Sequence, residues 1–223
     1  MNQQPIIVTE IPRSGAQMVS QVLQTSGALC DEAAISKIRE TVVRPFLKGL
    51  DADLYGINTF PKLAECTRIA CVVADSWRRQ VEGIIATDGP WIYRGSDALM
   101  LWPVWKAAFP TARWVVCRRD DHGIVRSCIH TKYIHGPERD QQFWPTWLDK
   151  YKSCISSLNA TCIEVFEIWP GRFINGHFDS IEQLVHNLDL AWDGVKVQDA
   201  LVPVLWTNRV YSVEGVNNVA ASN

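Results

Sequence analysis

Pro5-Ile6-Ile7-Val8-Thr9-Glu10-Ile11-Pro12-Arg13-Ser14-Gly15, near the amino terminus, sets the reading of the whole chain. The apolar run bounded by Pro5 and Pro12 predicts a buried strand. Behind the small-residue turn, Met18, Val19, Val22 and Leu23 recur at helical spacing. Strand, tight turn and helix make a phosphate cradle. Backbone N–H groups in the turn and first helical turn have no partner within the helix, and they lie at the positive end of its dipole. Gly15 permits close approach of the backbone, and Arg13 adds a fixed positive charge.

The cradle is not a Walker A loop, which needs two glycines and ends in Gly-Lys-Ser/Thr to hold magnesium. Here Gly15 is followed by Ala16-Gln17. Taken alone, Pro12 to Gly15 also fits an ordinary turn.

Outward from this stretch, strands and helices alternate. Gly27 stops the first helix, and Asp31 is placed to cap a second that runs to about Leu47. Residues 49–61 are rich in turn formers. Leu63, Cys66, Ala70, Val73, Trp77, Val81 and Ile84 then define a long amphipathic helix with Arg78 and Arg79 toward solvent. Trp91-Ile92-Tyr93-Arg94 is a short strand leading through Gly95-Ser96-Asp97 into one helix that ends before Pro110. Ala112 to Cys117 is the next apolar strand, ending in Arg118-Arg119, with Asp120 or Asp121 as cap of the following helix. Lys132 through Gln142 reads as a mobile loop able to close over an acceptor. Phe143, Trp147, Leu148, Tyr151, Cys154, Ile155 and Leu158 mark a core-facing helix, and Cys162 to Phe166 a strand. A helix from Ser180, with Gln183 as capping-box partner, comes next. Val202 to Trp206 is a last apolar stretch before a polar end.

Bulk properties narrow the function classes. The 223 residues are enough for one substantial core, expected in a single domain spanning 1–223. Lys+Arg 22 against Asp+Glu 24 gives a net charge of -2, with no basic excess for nucleic acid. No apolar run reaches membrane-spanning length and the start lacks signal-peptide character, so a cytoplasmic protein is expected. Cys30, Cys66, Cys71, Cys117, Cys128, Cys154 and Cys162 form no Cys-x-x-Cys pair and read as reduced core residues. His122, His130 and His135 match no usual zinc spacing, and no metal is expected. The 10 Trp divide between core and an apolar acceptor pocket in proportions that the sequence leaves open.

Residues 5 to 15 resemble the 5′-phosphosulfate loop of the sulfotransferases, in the Pro-Arg-Ser-Gly form of tyrosylprotein and many bacterial members. Ala16-Gln17 stands where the family usually has Thr, whose hydroxyl helps bind the 5′-phosphate. The resemblance extends to about residue 192. Sulfotransferases have a strand ending in Arg-Asp-Pro, with a Ser eight residues after the Arg that joins it in binding the 3′-phosphate of the nucleotide. Arg119 and Ser127 stand at that spacing, with Asp121 in place of the Pro. Cys30-Asp31-Glu32 is similar to the Cys-Gly-Glu of tyrosylprotein sulfotransferases, whose Glu is the general base, and this implies that role for Glu32. A first-turn acid favourable to the helix dipole is the alternative. Phe166-Glu167 and Leu188-Asp189-Leu190 resemble the family's Tyr-Glu-Asp and Leu-Gly-Leu. The Arg-Lys-Gly nucleotide loop of cytosolic members is not recognisable, which leaves the base contacts unassigned.

The expected fold is therefore α/β, a parallel sheet with helices on both faces in a P-loop NTPase-like three-layer sandwich. The expected activity is transfer of a sulfuryl group from 3′-phosphoadenosine 5′-phosphosulfate to a hydroxyl or amine of a small-molecule, glycan or peptide acceptor. Arg13, Ser14, Gly15, Ala16 and Gln17 would bind the 5′ end, Arg119 and Ser127 the 3′-phosphate, and Glu32 would take the acceptor's proton. A P-loop nucleotide kinase or hydrolase and a noncatalytic nucleotide-binding member of the fold are the alternatives.

Overall fold

A computed structural model of the chain describes residues 4–85, 87–131, 142–161 and 164–201. Within them β1 (Pro5–Glu10), β2 (Trp91–Arg94), β3 (Arg113–Cys117) and β4 (Val165–Ile168) form one sheet in the order β2-β1-β3-β4, with every pairing parallel. Ile6 stands opposite Ile92 on β2, and Ile7 opposite Trp114 on β3. Ile6, Ile7, Val8 and Thr9 are all buried, as are Trp114 through Cys117. Successive strand residues point to opposite faces, so both faces of the two central strands are covered. The protein is α/β with an all-parallel sheet, consistent with three layers.

Ten α-helices among the described residues supply the cover: α1 (Ala16–Thr25), α2 (Glu32–Ile38), α3 (Arg44–Gly49), α4 (Leu63–Glu82), α5 (Ser96–Met100), α6 (Trp102–Ala108), α7 (Asp121–His130), α8 (Phe143–Asn159), α9 (Gly171–Ile174) and α10 (Asp179–Asn187). α1 packs on β1 and against α10, whereas α5 packs on β1 and against α8. α4 lies along α6 through Trp77 and Trp105, whose ring centroids are 5.5 Å apart. Trp77, Trp91, Trp102, Trp105, Trp114 and Trp147 are buried in the core, while Trp169 is exposed. Cys30, Cys66, Cys117, Cys128 and Cys154 are buried with them, and Cys71 is exposed on α4. No helix among the described residues is long and apolar enough to cross a membrane.

Four local expectations are corrected. The helix expected from Asp31 to Leu47 runs as α2, a π-helical turn Arg39–Val43 and α3. Pro45 opens α3 without an N–H to give to the preceding turn, and the ladder shifts there. The single helix expected after Gly95 breaks at Leu101, because Pro103 favours the first turn of a new helix. The strand expected to end at Phe166 runs on to Ile168 and leaves Glu164 outside it, since its register follows β3, with Val165 opposite Trp114 and Ile168 opposite Cys117. The Ser180–Gln183 capping box is absent: α10 starts at Asp179, so Ser180 is already helical, and Gln183 Nε2 donates instead to Asn187 Oδ1 at 2.9 Å. The expected acceptor loop, except Gln142, together with His135, Cys162 and the stretch from Val202 to Trp206, lies outside the described residues.

Two carboxylates organise the long β1–β2 connection. Asp53 accepts from the N–H groups of Tyr55, Ile57, Asn58 and Thr59 and so folds the turn-rich segment around itself. Those bonds outweigh partial burial and hold the Asp53 carboxyl below its ordinary value. Asp31 Oδ1 accepts from Ala33 N at 2.9 Å and Ala34 N at 3.2 Å, the cap that the sequence predicts for α2. Asp31→Ala should lower stability by about 0.5–2 kcal/mol, read as a shifted urea midpoint with an unchanged slope.

Candidate functional site

The connectivity of the sheet selects one place. β1 connects to β2 in one direction, whereas β2 to β3 and β3 to β4 run in the other. The chain therefore parts between the carboxyl ends of β1 and β3. In open α/β sheets ligands bind in the crevice at such a switch point. Arg13 follows β1 there and Arg119 follows β3.

The turn after β1 is tight and strained. Ser14 N donates to Ile11 O at 3.1 Å, Arg13 has φ 75 and Gly15 has φ 100. A left-handed conformation is unfavourable for a residue with a side chain, which makes Arg13 a local strain point. Gly15 is required twice over. Its φ favours glycine, and a Cβ there would stand 3.0 Å from Pro170 Cβ in the segment after β4. Ser14 is 3 % exposed, and its Oγ has no hydrogen-bond partner.

Arg13, Arg119 and Ser127 are brought together. Arg13 Nε donates to Ser127 Oγ at 3.1 Å, and Arg119 Nη1 donates to Arg13 O at 2.9 Å. Asp120 is the residue that caps α7, accepting from Gly123 N at 2.6 Å, whereas Asp121 pairs with Lys152. Gly123 leaves room for the arginine, since a Cβ there would lie 2.7 Å from Arg119 Nε. Arg118, the other half of the Arg118-Arg119 pair, turns away to Glu167 at 3.5 Å. Burial pulls the Arg119 guanidinium below its ordinary value. Asp120 opposes this, and the neighbouring charges of Arg126 and Arg13 add to it. Arg119 thus feels the like charge of Arg13 from the turn and of Arg126 from α7, a balance that a nearby anion would relieve.

The cradle at the start of α1 holds a carboxylate of the chain itself. Ala16 N donates to Glu10 Oε2 at 2.8 Å, and Gly15 N–H adds to it. Gly15, the residue before α1, has no side chain to cap the helix, and Glu10 does so from the end of β1. Of the expected donors, Ser14, Gly15 and Ala16 therefore have partners within the chain. Gln17 is exposed on the first turn.

Glu32 reaches the same edge through Arg94. Both Glu32 carboxylate oxygens lie 2.8 Å from Arg94 Nη2, and Arg94 in turn acts electrostatically on Glu10. Glu32 also sits in the first turn of α2, as a dipole-favoured acid would, with its side chain 65 % exposed. Cys30 beside it is pushed up to about 11 by burial and by Glu32.

Behind Arg94 lies a buried polar group that the sequence reading passed over. Arg39, from the π-helical turn, donates to Arg94 O at 2.9 Å and faces Asp97 Oδ1 at 3.6 Å, and Asp97 bonds the Tyr93 hydroxyl. Burial raises Asp97 above its ordinary value against the pull of Arg39, and raises Tyr93 as well. Thr9 Oγ1 donates to Gly95 O at 2.8 Å, which ties the end of β1 to the end of β2. These bonds fix where Arg94 leaves the sheet. Glu10, Arg94 and Arg126 were also unassigned. The signal for the first two was the one used for Arg119, a charge at the carboxyl end of an apolar strand.

Among the described residues no group of three His, Cys, Asp or Glu is placed to hold a metal ion. Arg13, Arg119 and the first-turn N–H groups are the chemistry that an anion would meet at this edge, with the Glu10 carboxylate in place on the Ala16 N–H. No protein-family model matches the chain, and no curated protein does either.

Proposed function

We propose that the chain is a sulfotransferase that takes the sulfuryl group of 3′-phosphoadenosine 5′-phosphosulfate to a hydroxyl or amine acceptor, on a P-loop-type three-layer sandwich. The observation that carries this reading is the meeting of Arg13, Arg119 and Ser127 at the crevice between β1 and β3. A nucleotide with phosphate at both its 3′ and 5′ positions needs two adjoining anion sites, and this edge has residues for both. Arg119 and Ser127 would hold the 3′-phosphate. The N–H groups of Gly15 and Ala16, once released by Glu10, and that of Gln17 would address the 5′ end, whereas Ser14 N is used by the turn itself. The donor supplies the group transferred, and the protein's part is positioning and charge stabilisation. Arg13 would neutralise charge growing on the leaving phosphate oxygen, and Glu32 would accept the proton of the attacking acceptor.

Calorimetric titration with 3′,5′-adenosine bisphosphate, against ATP with magnesium, tests the reading. The bisphosphate alone should bind the wild type, and Arg119→Ala should weaken it by about 10- to 100-fold, the worth of a charge-assisted contact. Binding of magnesium-ATP in preference would overturn the donor assignment in favour of a nucleotide kinase or hydrolase. A second reading, a noncatalytic nucleotide-binding protein, is favoured by one observation: Glu10 already occupies the Ala16 N–H that a 5′-phosphate would need. Bisphosphate binding without transfer of labelled sulfuryl to a broad acceptor panel is the result that reading expects.

A further inference from the structure

The carboxylate at the start of α1 has a consequence for any ligand of this edge. We propose that Glu10 is a built-in occupant of the oxyanion cradle, and that an incoming sulfate or phosphate group replaces its charge, with uptake of one proton by Glu10. The proposal rests on the oxyanion-site reading above. It assigns to that site a proton-coupled gate.

The geometry leaves little room for both charges. Glu10 Oε2 holds Ala16 N–H at 2.8 Å, the donor at which a bound oxyanion would also aim. An external anion at the same N–H would therefore meet a carboxylate a few Å away, at a partly buried position where like charges repel more strongly than in water. The charged and titratable groups that face Glu10 come from the loop, β2, β3 and α7. From the loop and β2 it faces Arg13 and Arg94, and Arg94 is already shared with Glu32. From β3 and α7 it faces Cys117 and Cys128, thiols kept neutral by burial. Protonation removes the like-charge conflict and weakens the hold of Glu10 on the Ala16 N–H, which frees that donor for the ligand.

Two observations make the exchange feasible. Burial already raises the Glu10 carboxyl above its ordinary value, against the opposing pull of Ala16 N–H, Arg94, Arg13 and Gly15 N–H. The Ser14 hydroxyl, in the same turn and 3 % exposed, has no partner, so the turn that leads into the cradle buries one unused hydrogen-bonding group. The sign follows directly. The occupied state carries more protons than the empty one, so affinity rises as pH falls.

Inorganic sulfate, a dianion throughout the range used, is the first probe, titrated at constant ionic strength between about pH 5 and pH 8. Wild type should bind sulfate more tightly as pH is lowered. Calorimetry in buffers of different ionisation enthalpy should show close to one proton taken up per sulfate. Glu10→Gln should bind sulfate about tenfold or more tightly at the upper pH and lose most of the pH dependence. α7 also carries His122 and His130, which this variant keeps, so the difference between the two proteins isolates Glu10. Sulfate binding that is equal in both proteins and independent of pH would overturn the gate and leave the oxyanion site standing. If neither protein binds sulfate or 3′,5′-adenosine bisphosphate at any pH, the gate and the site fall together. Should the variant not fold, proton uptake by the wild type decides, and binding without uptake overturns the proposal.

Discussion

Arg13→Ala is expected to slow sulfuryl transfer by about 10²–10³-fold or more while leaving the fold intact. The side chain is exposed, and its Nε bond to Ser127 is a surface bond between side chains, so stability should change little. On the proposed sulfotransferase reading the effect belongs to the transition state, in which charge would grow on the leaving phosphate beside a cation that the tight turn has already positioned. Arg13→Lys keeps the charge but loses the planar fork, and an intermediate rate is expected. Single-turnover transfer of labelled sulfuryl from the donor to a phenol or carbohydrate acceptor reads the effect, with far-UV circular dichroism as the control for folding. A rate unchanged by Arg13→Ala would remove this residue from the mechanism.

Trp105→Ala should cost about 3–5 kcal/mol, the largest stability loss expected from a single core change in this protein. Trp105 is fully buried on α6. Its ring centroid lies 4.3 Å from that of Tyr93, 5.5 Å from Trp77 and 5.9 Å from Phe109. It thus joins α4 and α6 to β2, the strand that carries Arg94 and the Tyr93 hydroxyl bonded to the buried Asp97 of α5. Truncation leaves a cavity between large rings that cannot collapse into it, so lost transfer energy and lost packing add. Urea unfolding measures the loss, and Trp105→Phe, which retains a ring, should lose markedly less. A loss under about 1 kcal/mol for the alanine variant would mean that α6 packs on β2 by other contacts.

The two experiments probe different depths of one design. Around Arg13 the chain places charge at the exposed rim of the sheet. Around Trp105 it builds the rigid support that fixes β2, and through Arg94 and Glu32 the support reaches the rim. A site whose arginines emerge from strand ends inherits its precision from the sheet, and the aromatic packing behind β2 is what holds that sheet edge in register.

What the sequence determined by itself is the local structure, because the forces that set it act over a few residues. Pro5 and Pro12 bound β1, Gly15 marks the left-handed turn, Asp31 caps α2, and the three-and-four spacing from Leu63 to Ile84 makes α4. The same signals misled where a proline altered the hydrogen-bond ladder, at Pro45 and Pro103, and where a polar pair near Ser180 imitated a cap. Arg119 and Ser127 were paired on a spacing that resembles the sulfotransferases, and the structure links each of them to Arg13. Only the tertiary structure decided what these residues meet. Arg119 reaches the carbonyl of Arg13 across 106 positions, Arg13 reaches Ser127 across 114, and Arg94 reaches Glu32 across 62. Such contacts depend on which strands are neighbours and in what register, and no local pattern encodes that. Glu10 is the sharpest case. It is only six residues from Ala16, yet the turn at Arg13 and Gly15 had to fold before its carboxylate could be found on the N–H groups that a ligand would need.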